Sequence, residues 1–476
     1  MKKNSVSFDF LWLSLALLPL IGLSYMLSIP AQDYWWYLRL GRDILSQGAI
    51  PLVDTMGYSR AGLSIFYQQW LSGIIFYLVY HWGGISLTYF LRGLLIGISY
   101  GMIWWMLRKV SGPRLATMLV IVLGLSSSNN WVMRPQLFAY PLFLLCVWAL
   151  YEWQSGNHRT LFLLPLSVFL WANLHGSFVL PFVLTGAAFI FGNGNRKALL
   201  ITLIIMAVAS LINPHGFGVW QYLIFILNSP SDFLFSVEWR PPTNEGWQLN
   251  IFFAWLLVFI PVTAFSKHKL SLLEWIWFLG FGWLALSGIR YVIWFMFLLA
   301  IFTAKLIAEW TTPHVDKPVE KVNPLINVSL AVMLLLLSFI FLPGLRDSWW
   351  KSAPPLYELT TTPVNAVDFL KQHAELKGPL WNDYAFGSYL EFMLPEHPTW
   401  LDTRMYSFPP SQWDEYVNVT NAIGWQEMFD RENINLLLLS QAAQPALVEA
   451  VSSSDGWCEK YKDDYAVVFS RCEPLP

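Results

Sequence analysis

Charge is what this sequence lacks. Asp, Glu, Lys and Arg together make up 13% of its 476 residues, about half the share usual in soluble proteins. Hydrophobic residues are 56%, and 27 residues are tryptophan. So few charges could not cover the apolar surface of a water-soluble fold of this size. A cytosolic enzyme, a disordered chain and a nucleic-acid-binding protein are thereby excluded. Cysteine is scarce as well: Cys146, Cys458 and Cys472 are too few for a disulfide framework. Cys146 lies inside an apolar run and reads as a packing residue. A cleavable leader is also missing. Met1-Lys2-Lys3 opens an apolar stretch with no small-residue cleavage site before Pro30, so the stretch reads as a retained first spanning helix. Nor is there an internal repeat or an inverted pair of broken helices of the transporter kind.

What is present is a division of charge. The formal net charge of −2 hides a net of +8 over residues 1–344 and −10 over residues 345–476. The first part reads as membrane and the last as an acidic soluble domain. The organisation expected is a transmembrane module over 1–343 with a long first outer loop at 30–64. A Pro/Ser/Thr-rich linker follows at 344–362, then an extracytoplasmic α/β domain at 363–476.

A spanning helix needs about 20 mostly apolar residues. The stretches that qualify are 9–29, 86–107, 114–131, 137–153, 159–173, 174–192, 197–212, 249–265, 270–287, 290–309 and 323–343. A twelfth stretch, 65–82, is shorter and carries Tyr67, Gln68 and Gln69. The positive-inside rule separates the possibilities. With the N-terminus inside and 65–82 not crossing, the inner side collects Lys2, Lys3, Arg108, Lys109, Arg114, Arg159, Arg196, Lys197, Lys267, Lys269, Lys305, Lys317 and Lys321. The outer side holds Arg39, Arg42, Arg60, Arg134, Arg240 and Arg290, and Arg92 lies within the membrane toward that side. If 65–82 crossed, every later basic loop would invert. The expectation is therefore about 11 spans and one interfacial or re-entrant helix. It places the tail outside the cell or in the periplasm of a bacterium, and the protein in the cytoplasmic membrane. The pair Cys458 and Cys472 then lies in an oxidising compartment on either side of a hairpin, and is expected to form a disulfide.

The tail reads as a small α/β unit. Residues 363–373 are expected as a helix with Val364, Val367 and Leu370 on one face. Leu380-Trp381-Asn382-Asp383 and Thr399-Trp400-Leu401-Asp402 read as short strand ends. Residues 411–431 read as helical, Asn433–Ser440 as a buried strand and Pro445–Ser452 as a helix. Trp457–Lys462 and Tyr465–Arg471 read as a hairpin around Asp463-Asp464.

Polar chemistry concentrates on the outer side. Asp33, in Gln32-Asp33-Tyr34-Trp35-Trp36, follows the first span and is a candidate general base; Asp54 is a second carboxylate in the same loop. Arg134 and Arg290 are cations at the membrane boundary, where a charge needs a cavity or a partner, and arginine presents a planar fork suited to phosphate. His175, in Asn173-Leu174-His175-Gly176, and His215, in Asn213-Pro214-His215-Gly216, are candidate phosphate or sugar contacts, with Asn173 beside the first. Glu238 precedes Pro241-Pro242 in the outer loop 213–248. The histidines have no third ligand at a diagnostic spacing, so no metal ligand set is assigned and metal dependence stays open. Asn382-Asp383-Tyr384 and Asp402-Thr403-Arg404 follow strand ends, a common place for sites in α/β folds and equally for turn and capping chemistry.

The order of these elements resembles the GT-C superfamily of membrane glycosyltransferases, which includes protein O-mannosyltransferases, aminoarabinose transferases and oligosaccharyltransferases. The shared pattern is a span, a long outer loop opening with an acid (Asp33), interfacial helices (around 39–47 and 65–82), then many spans. The sequence is more closely similar to an uncharacterised bacterial branch of that superfamily, through Asp33-Tyr34-Trp35-Trp36, Arg134-Pro135-Gln136-Leu137-Phe138, Trp171-Ala172-Asn173-Leu174-His175-Gly176, Asn213-Pro214-His215-Gly216 and the two tail motifs. The resemblance implies a polytopic α-helical membrane protein of about 11–13 spans with a C-terminal α/β domain. It implies a polyprenyl-phosphate-linked sugar as donor and no certain further cofactor. Asp33 is then the base, and Arg134 and Arg290 are partners of the departing phosphate. Protein mannosyltransferases follow the first Asp with Glu, whereas Tyr34 follows here, so the acceptor is left as a glycan, a lipid or a protein.

Two other classes fit part of the pattern. A flippase or transporter of lipid-linked sugar would use the same arginines, but should show repeat symmetry and polar groups at the bilayer midplane. A non-catalytic assembly subunit of an envelope glycan system would keep the fold without the chemistry.

Overall fold

The computed structural model describes residues 2–229, 236–311 and 323–472. The inner loop expected at 311–323, with Lys317 and Lys321, falls almost wholly outside them. The chain divides into two compact units. One comprises residues 1–27, 83–219 and 237–354; the other comprises 28–82, 220–236 and 355–476. The long first outer loop, expected as part of the membrane module, thus packs with the tail in the second unit.

The first unit is helical, and each apolar stretch anticipated as a span forms helix. The elements are α1 (Lys2–Met26), the part of a long helix α3 beyond residue 82, α4 (Gln136–Gln154), α5 (Leu163–Leu174), α6 (Leu180–Phe191) and α7 (Arg196–Ser210). Four more helices follow at Trp247–Phe265, Leu272–Ser287, Val292–Thr311 and Pro324–Ser338. Among the described residues six helical segments are long and apolar enough to cross a bilayer: 8–26, 70–130, 136–154, 247–265, 289–310 and 324–341. Shorter apolar helices lie at 176–191, 218–227 and 272–287. The protein is a multi-pass membrane protein.

Helix α3 runs over Trp70–Ser127 but is three helices in one line. Gly84 at φ 57° and Gly112 at φ 78°, the latter before Pro113, turn the chain where a side chain would strain it. These breaks separate 70–82 from 85–111 and 113–127, close to the boundaries read from hydropathy.

Helix Val292–Thr311 is the core of the unit, and Val292 through Ala300 are buried without interruption. Trp294 packs on Tyr140, Phe143 and Trp171, with ring centroids 5.3, 5.2 and 5.6 Å away. The buried Arg92 finds its partners in the backbone and a neighbouring ring. Its Nη2 donates to the carbonyls of Ser24 and of Leu27, the latter at 2.5 Å, and its guanidinium lies 4.5 Å from the Tyr89 ring. Arg346 donates to the Tyr25 carbonyl at 2.7 Å. Two cations therefore take up carbonyls that the end of α1 leaves without intrahelical partners.

The second unit joins α2 (Tyr34–Gln47), the first segment of α3, most of helix α8 (Gly218–Leu227) and the tail. The ten-residue α8 was read as loop, because it is too short to count as a span. Helix α2 and residues 70–82 approach backbone to backbone at Gly41 and Gly73; a Cβ on Gly41 would sit 2.1 Å from the Gly73 carbonyl oxygen.

In the tail the sheet order is β1-β2-β4-β3, with β1 (Leu380–Asn382) parallel to β2 (Leu436–Ser440) and the other pairs antiparallel. Strands β3 (Trp457–Lys462) and β4 (Ala466–Arg471) form the expected hairpin, and Cys458 and Cys472 are disulfide-bonded with Cα atoms 5.1 Å apart. The helices expected at 363–373 and 445–452 occupy Val364–Gln372 and Pro445–Ser452. The helix expected over 411–431 is divided into Pro410–Thr420 and Trp425–Arg431 by Gly424 at φ 64°.

Thr399–Asp402, expected as a strand end, is a corrected reading: it joins no ladder beyond a single bridge from Thr399 to Gly57. The Asn382 side chain takes the place of strand pairing, donating to the Leu401 carbonyl at 2.9 Å and accepting from the Trp400 amide at 3.0 Å.

Candidate active site

The outer-side residues anticipated from the sequence fall in both units. In the first unit, the break between α3 and α4 and the turn before Val292 form a small cup of about 40 Å³. Its polar walls are Asn129, Asn130, Arg134, Gln136, Glu238 and Arg290. Arg134 comes from the Arg134-Pro135 turn, where proline starts α4 and fixes the direction of the side chain before it. Its guanidinium forms an ion pair with Glu238. Arg290 lies in the short turn between Gly288 and Val292, with its guanidinium 4.3 Å from the Trp239 ring centre. The Gln136 amide donates to the Arg290 carbonyl at 3.2 Å, so the two turns are tied together.

Burial alone would raise the Glu238 carboxyl, but the charges of Arg134 and Arg290 outweigh it and hold the group below the usual carboxylate range. His175 feels the same field. Burial, then Arg290 and Arg134, push its imidazole down to about 3. Hydrogen bonding points the same way. Nδ1 accepts the Ser177 backbone N–H at 3.1 Å, so that nitrogen carries a lone pair and the proton of the neutral ring is on Nε2. His175 is a neutral hydrogen-bond donor, fixed by the chain two residues on.

Asn173 and His215 are placed differently. The Asn173 amide donates to the Phe169 carbonyl at 2.8 Å and the Ile212 carbonyl at 3.0 Å, joining the ends of α5 and α7. In Asn213-Pro214-His215-Gly216 the Asn213 side chain accepts the His215 amide at 2.8 Å and donates to the carbonyls of Ser210 and Gly216. The motif forms a turn closed by Gly216 at φ 53°, and His215 is not among the residues lining the cup.

In the second unit, Asp33 stands immediately before α2, partly buried, and it does not cap that helix. Trp35 and Trp36 beside it are buried. Trp35 packs edge-on to Tyr389 with centroids 4.8 Å apart.

Asp54 is in a cluster that the sequence did not reveal as one. Its Oδ1 accepts the Met56 amide at 3.0 Å, and its Oδ2 lies 3.0 Å from Nη1 of Arg404. Arg404 also pairs with Asp402 at 2.5 Å, reaches Glu391 at 3.5 Å and donates to the Tyr67 hydroxyl at 3.0 Å. All five side chains are buried. Arg60 approaches Asp54 at 3.9 Å. Burial and the neighbouring Asp402 carboxylate raise Glu391 well above the usual range, while Arg404 holds Asp402 below it. Glu391 thus holds its proton more tightly than Asp402 does. Two cations, Arg404 and Arg60, face the carboxyl groups of Asp54, Asp402 and Glu391.

The sequence marks Asp54 on the one hand and the Asp402-Thr403-Arg404 motif on the other, and gives no sign of Glu391 or of a site role for Tyr67. In the cup, Asn129 and Asn130 go unmarked by the sequence, while Gln136 belongs to the outer-face segment Arg134-Pro135-Gln136. Gln136 carried a usable signal, its place between Arg134-Pro135 and an apolar run. Among the described residues, no three His, Cys, Asp or Glu side chains gather as a metal site.

No protein-family model and no curated protein sequence matches this chain. Solved structures do. The archaeal oligosaccharyltransferase AglB from Archaeoglobus fulgidus, in complex with an inhibitory peptide and a dolichol-phosphate, matches with a TM-score of 0.60 at 10% identity, over 100% of this chain and 75% of that one. ArnT from Cupriavidus metallidurans in the apo state matches at 0.53 and 13% identity, over 95% and 96% of the two chains. The mycobacterial arabinofuranosyltransferase AftD matches at 0.56 and 14% identity, over 96% of this chain and 41% of its own. At these identities the likeness is one of fold, and it extends over nearly the whole chain. The chain shares its fold with these oligosaccharyltransferase, ArnT and arabinofuranosyltransferase structures.

Proposed function

We propose that this protein is a glycosyltransferase that moves a sugar from a polyprenyl-phosphate donor to an acceptor on the outer face of a bacterial cytoplasmic membrane. The observation that carries this reading is the cup in the first unit. It brings two arginines, two asparagine side chains and a glutamine together in a fold whose solved examples are glycosyltransferases. In such a site cations and fixed donors stabilise the charge that develops on a departing phosphate.

In the proposed reaction the acceptor hydroxyl or amine attacks the anomeric carbon. The bond from that carbon to the phosphate oxygen breaks, and the lipid phosphate leaves with the electron pair. The acceptor proton passes to a general base, the role proposed for Asp33 from its place in the sequence immediately after the first span. Attack opposite the leaving group inverts the anomeric centre. Arg290 and Arg134 take the phosphate; His175 lies in the field of both arginines but is not among the residues lining the cup. Asp54 acts from its place in the buried cluster, holding the first loop in the shape that presents Asp33. The acceptor is a glycan, a lipid or a protein, and the donor enters from the membrane lipid.

Asp33→Asn tests the mechanism. The amide keeps the size of the side chain and cannot accept the proton. General-base assistance is worth about 10²–10⁴-fold, so transfer should fall at least about a hundredfold while expression and donor binding stay normal. Transfer at near wild-type rate would eliminate Asp33 as the base.

A further inference from the structure

Away from the cup, the first unit has an open apolar groove of about 350 Å³, lined by Gly101, Met102, Trp105, Met106, Leu145 and Trp148. Its walls are two helix faces. On α3 the lining recurs at i, i+1, i+4 and i+5 from Gly101; on α4 it recurs at i and i+3 from Leu145. Gly101 brings no side chain to the wall, and the two thioethers adapt to whatever lies beside them. The indoles of Trp105 and Trp148 meet edge to face, with ring centroids 5.8 Å apart.

One end of the groove is charged. Lys109 lies one turn beyond Trp105, and its ammonium is 3.7 Å from the Trp105 ring centre. The same ammonium is 3.9 Å from Glu152 Oε1, beyond the 2.7–2.9 Å of a charge-assisted hydrogen bond. Glu152 is engaged elsewhere: Oε1 accepts the Trp148 indole N–H and Oε2 accepts the Asn157 amide, each at 3.2 Å. The turns at 108–114 and 152–159 hold Arg108, Lys109, Arg114 and Arg159 against Glu152, and Arg108 pairs with Asp9. Four cations against two carboxylates leave an excess of two positive charges at this end.

We propose that this groove is a binding site for an anionic phospholipid, with one acyl chain between α3 and α4 and the phosphate at Lys109. The proposal does not depend on the reading of the cup. Apolar contact alone cannot select a ligand in a bilayer, whose own chains are as apolar as the groove. Selection has to come from shape and from charge, and both are present. The groove runs from Lys109 past Trp105 to Gly101, eight residues or about 12 Å along the helix. A polar head joined to an apolar chain matches that sequence of a cation, an indole and an apolar trough. The Lys109 ammonium offers three N–H donors to a phosphate, and the excess positive charge favours a headgroup of net negative charge over a zwitterion. Basic pockets between membrane helices recognise anionic headgroups in this way. A lipid bound there stabilises the packing of α3 on α4 by mass action.

The test titrates the full-length protein, purified in detergent, with phosphatidylglycerol and with phosphatidylcholine of the same acyl chains, and counts bound lipid by native mass spectrometry. The wild type should bind its first phosphatidylglycerol about fivefold more tightly than phosphatidylcholine. Lys109→Gln should abolish that preference, and Lys109→Arg, which keeps the charge, should retain it. Arg114→Gln removes an equal charge whose guanidinium lies beside Trp12, 5.8 Å from its ring centre, and should leave the preference in place. Leu145→Trp fills the groove and should weaken both lipids. A wild type without the preference overturns the proposal. So does an equal loss in Lys109→Gln and Arg114→Gln, which would trace the preference to surface charge at large. Displacement of phosphatidylglycerol by a polyprenyl phosphate, itself bound less tightly by Leu145→Trp, would assign the groove to the donor chain and overturn the proposal. Self-association abolished by Leu145→Trp would assign it to a second copy, with the same consequence. Should Leu145→Trp fail to fold, the comparison of Lys109→Gln with Arg114→Gln decides alone.

Discussion

Arg404 and Asp54 meet at 3.0 Å with neither side chain exposed to solvent. One comes from the tail and the other from the first loop, so this pair fastens the two segments of the second unit. A buried charge whose partner is removed costs about 3–5 kcal/mol. Arg404→Met removes the cation shared by Asp54, Asp402 and Glu391 and leaves two carboxylates without it. The variant should lose about 3–5 kcal/mol of stability, read as a lower denaturation midpoint of the purified protein. An unchanged midpoint would show that the cluster does not hold the unit together. Asp33→Asn, outside this cluster, should leave the midpoint unaltered.

The second unit also stores a pH dependence. Asp383 is buried, and burial pushes its carboxyl up to about 6, against the Ala385 N–H and the Tyr416 hydroxyl, which favour the ionised form. A folded-state value above the unfolded one means that the neutral form is favoured by folding. Its contribution is complete below about pH 4 and is lost as pH rises through about 6. Asp383→Asn is neutral throughout and can still accept the Ala385 N–H. The stability of Asp383→Asn relative to wild type should therefore rise by about 2–3 kcal/mol between pH 4 and pH 8. Chemical denaturation at the two pH values measures it, and a difference that does not change with pH would refute the assignment. Glu391, also raised, has the same sign and should add to the alkaline loss in the wild type.

Much of the fold was legible because membrane helices are encoded locally. Each of the eleven apolar stretches is helix, and the breaks in α3 fall at Gly84 and Gly112-Pro113, residues whose backbone preferences can be read without a structure. The tail hairpin and its disulfide were legible for the same reason, two strand-like runs on either side of Asp463-Asp464 with Cys458 early in the first and Cys472 just after the second. What could not be read is tertiary. Nothing near Glu391 in sequence marks it as charged chemistry; it sits inside an apolar helix and matters because folding brings Arg404 to it. Thr399–Asp402 looked like a strand, and only the Asn382 side chain shows why it is not paired as one. In the site, Arg134 and Arg290 were found from the cost of charge at a membrane boundary, and Glu238 was named as well. Its pairing with Arg134 depends on the Glu238-Trp239-Arg240 turn reaching α4, which no local pattern reports.

The sidedness of the membrane is testable without knowing the substrate. The proposed orientation, read from the alternation of basic loops, has residue 267 inside and residue 411 outside. Cysteines introduced at Lys267 and Ser411 should respectively resist and accept an impermeant thiol reagent in intact cells. The opposite pattern would invert the arrangement. The same orientation places the Cys458–Cys472 bond in an oxidising compartment. Breaking a disulfide that closes a loop of this size, with its cysteines 14 residues apart, removes about 2–4 kcal/mol. Cys458→Ser with Cys472→Ser should lower the midpoint accordingly, while Cys146, buried in α4, should stay unreactive in the folded protein.

Arg290 gives the most direct test of the phosphate reading. Its guanidinium lies over Trp239, at 4.3 Å from the ring centre, and its backbone is held by Gln136 at 3.2 Å. The side chain is thus oriented before any ligand arrives, and a pre-oriented planar fork can offer two parallel N–H donors to a phosphate. Lysine keeps the charge but has a single ammonium head, a different geometry and weaker stacking on an indole. Arg290→Lys should therefore weaken binding of the polyprenyl methyl phosphodiester by about tenfold, a loss of about 1.4 kcal/mol. Arg290→Ala should weaken it further, because it removes a charge-assisted hydrogen bond worth about 1.5–3 kcal/mol. Trp239→Leu separates orientation from charge. If stacking positions the guanidinium, this variant should bind less tightly than wild type and more tightly than Arg290→Ala. Equal binding by wild type, Arg290→Lys and Arg290→Ala would remove Arg290 from the site and with it the assignment of the cup to the donor phosphate.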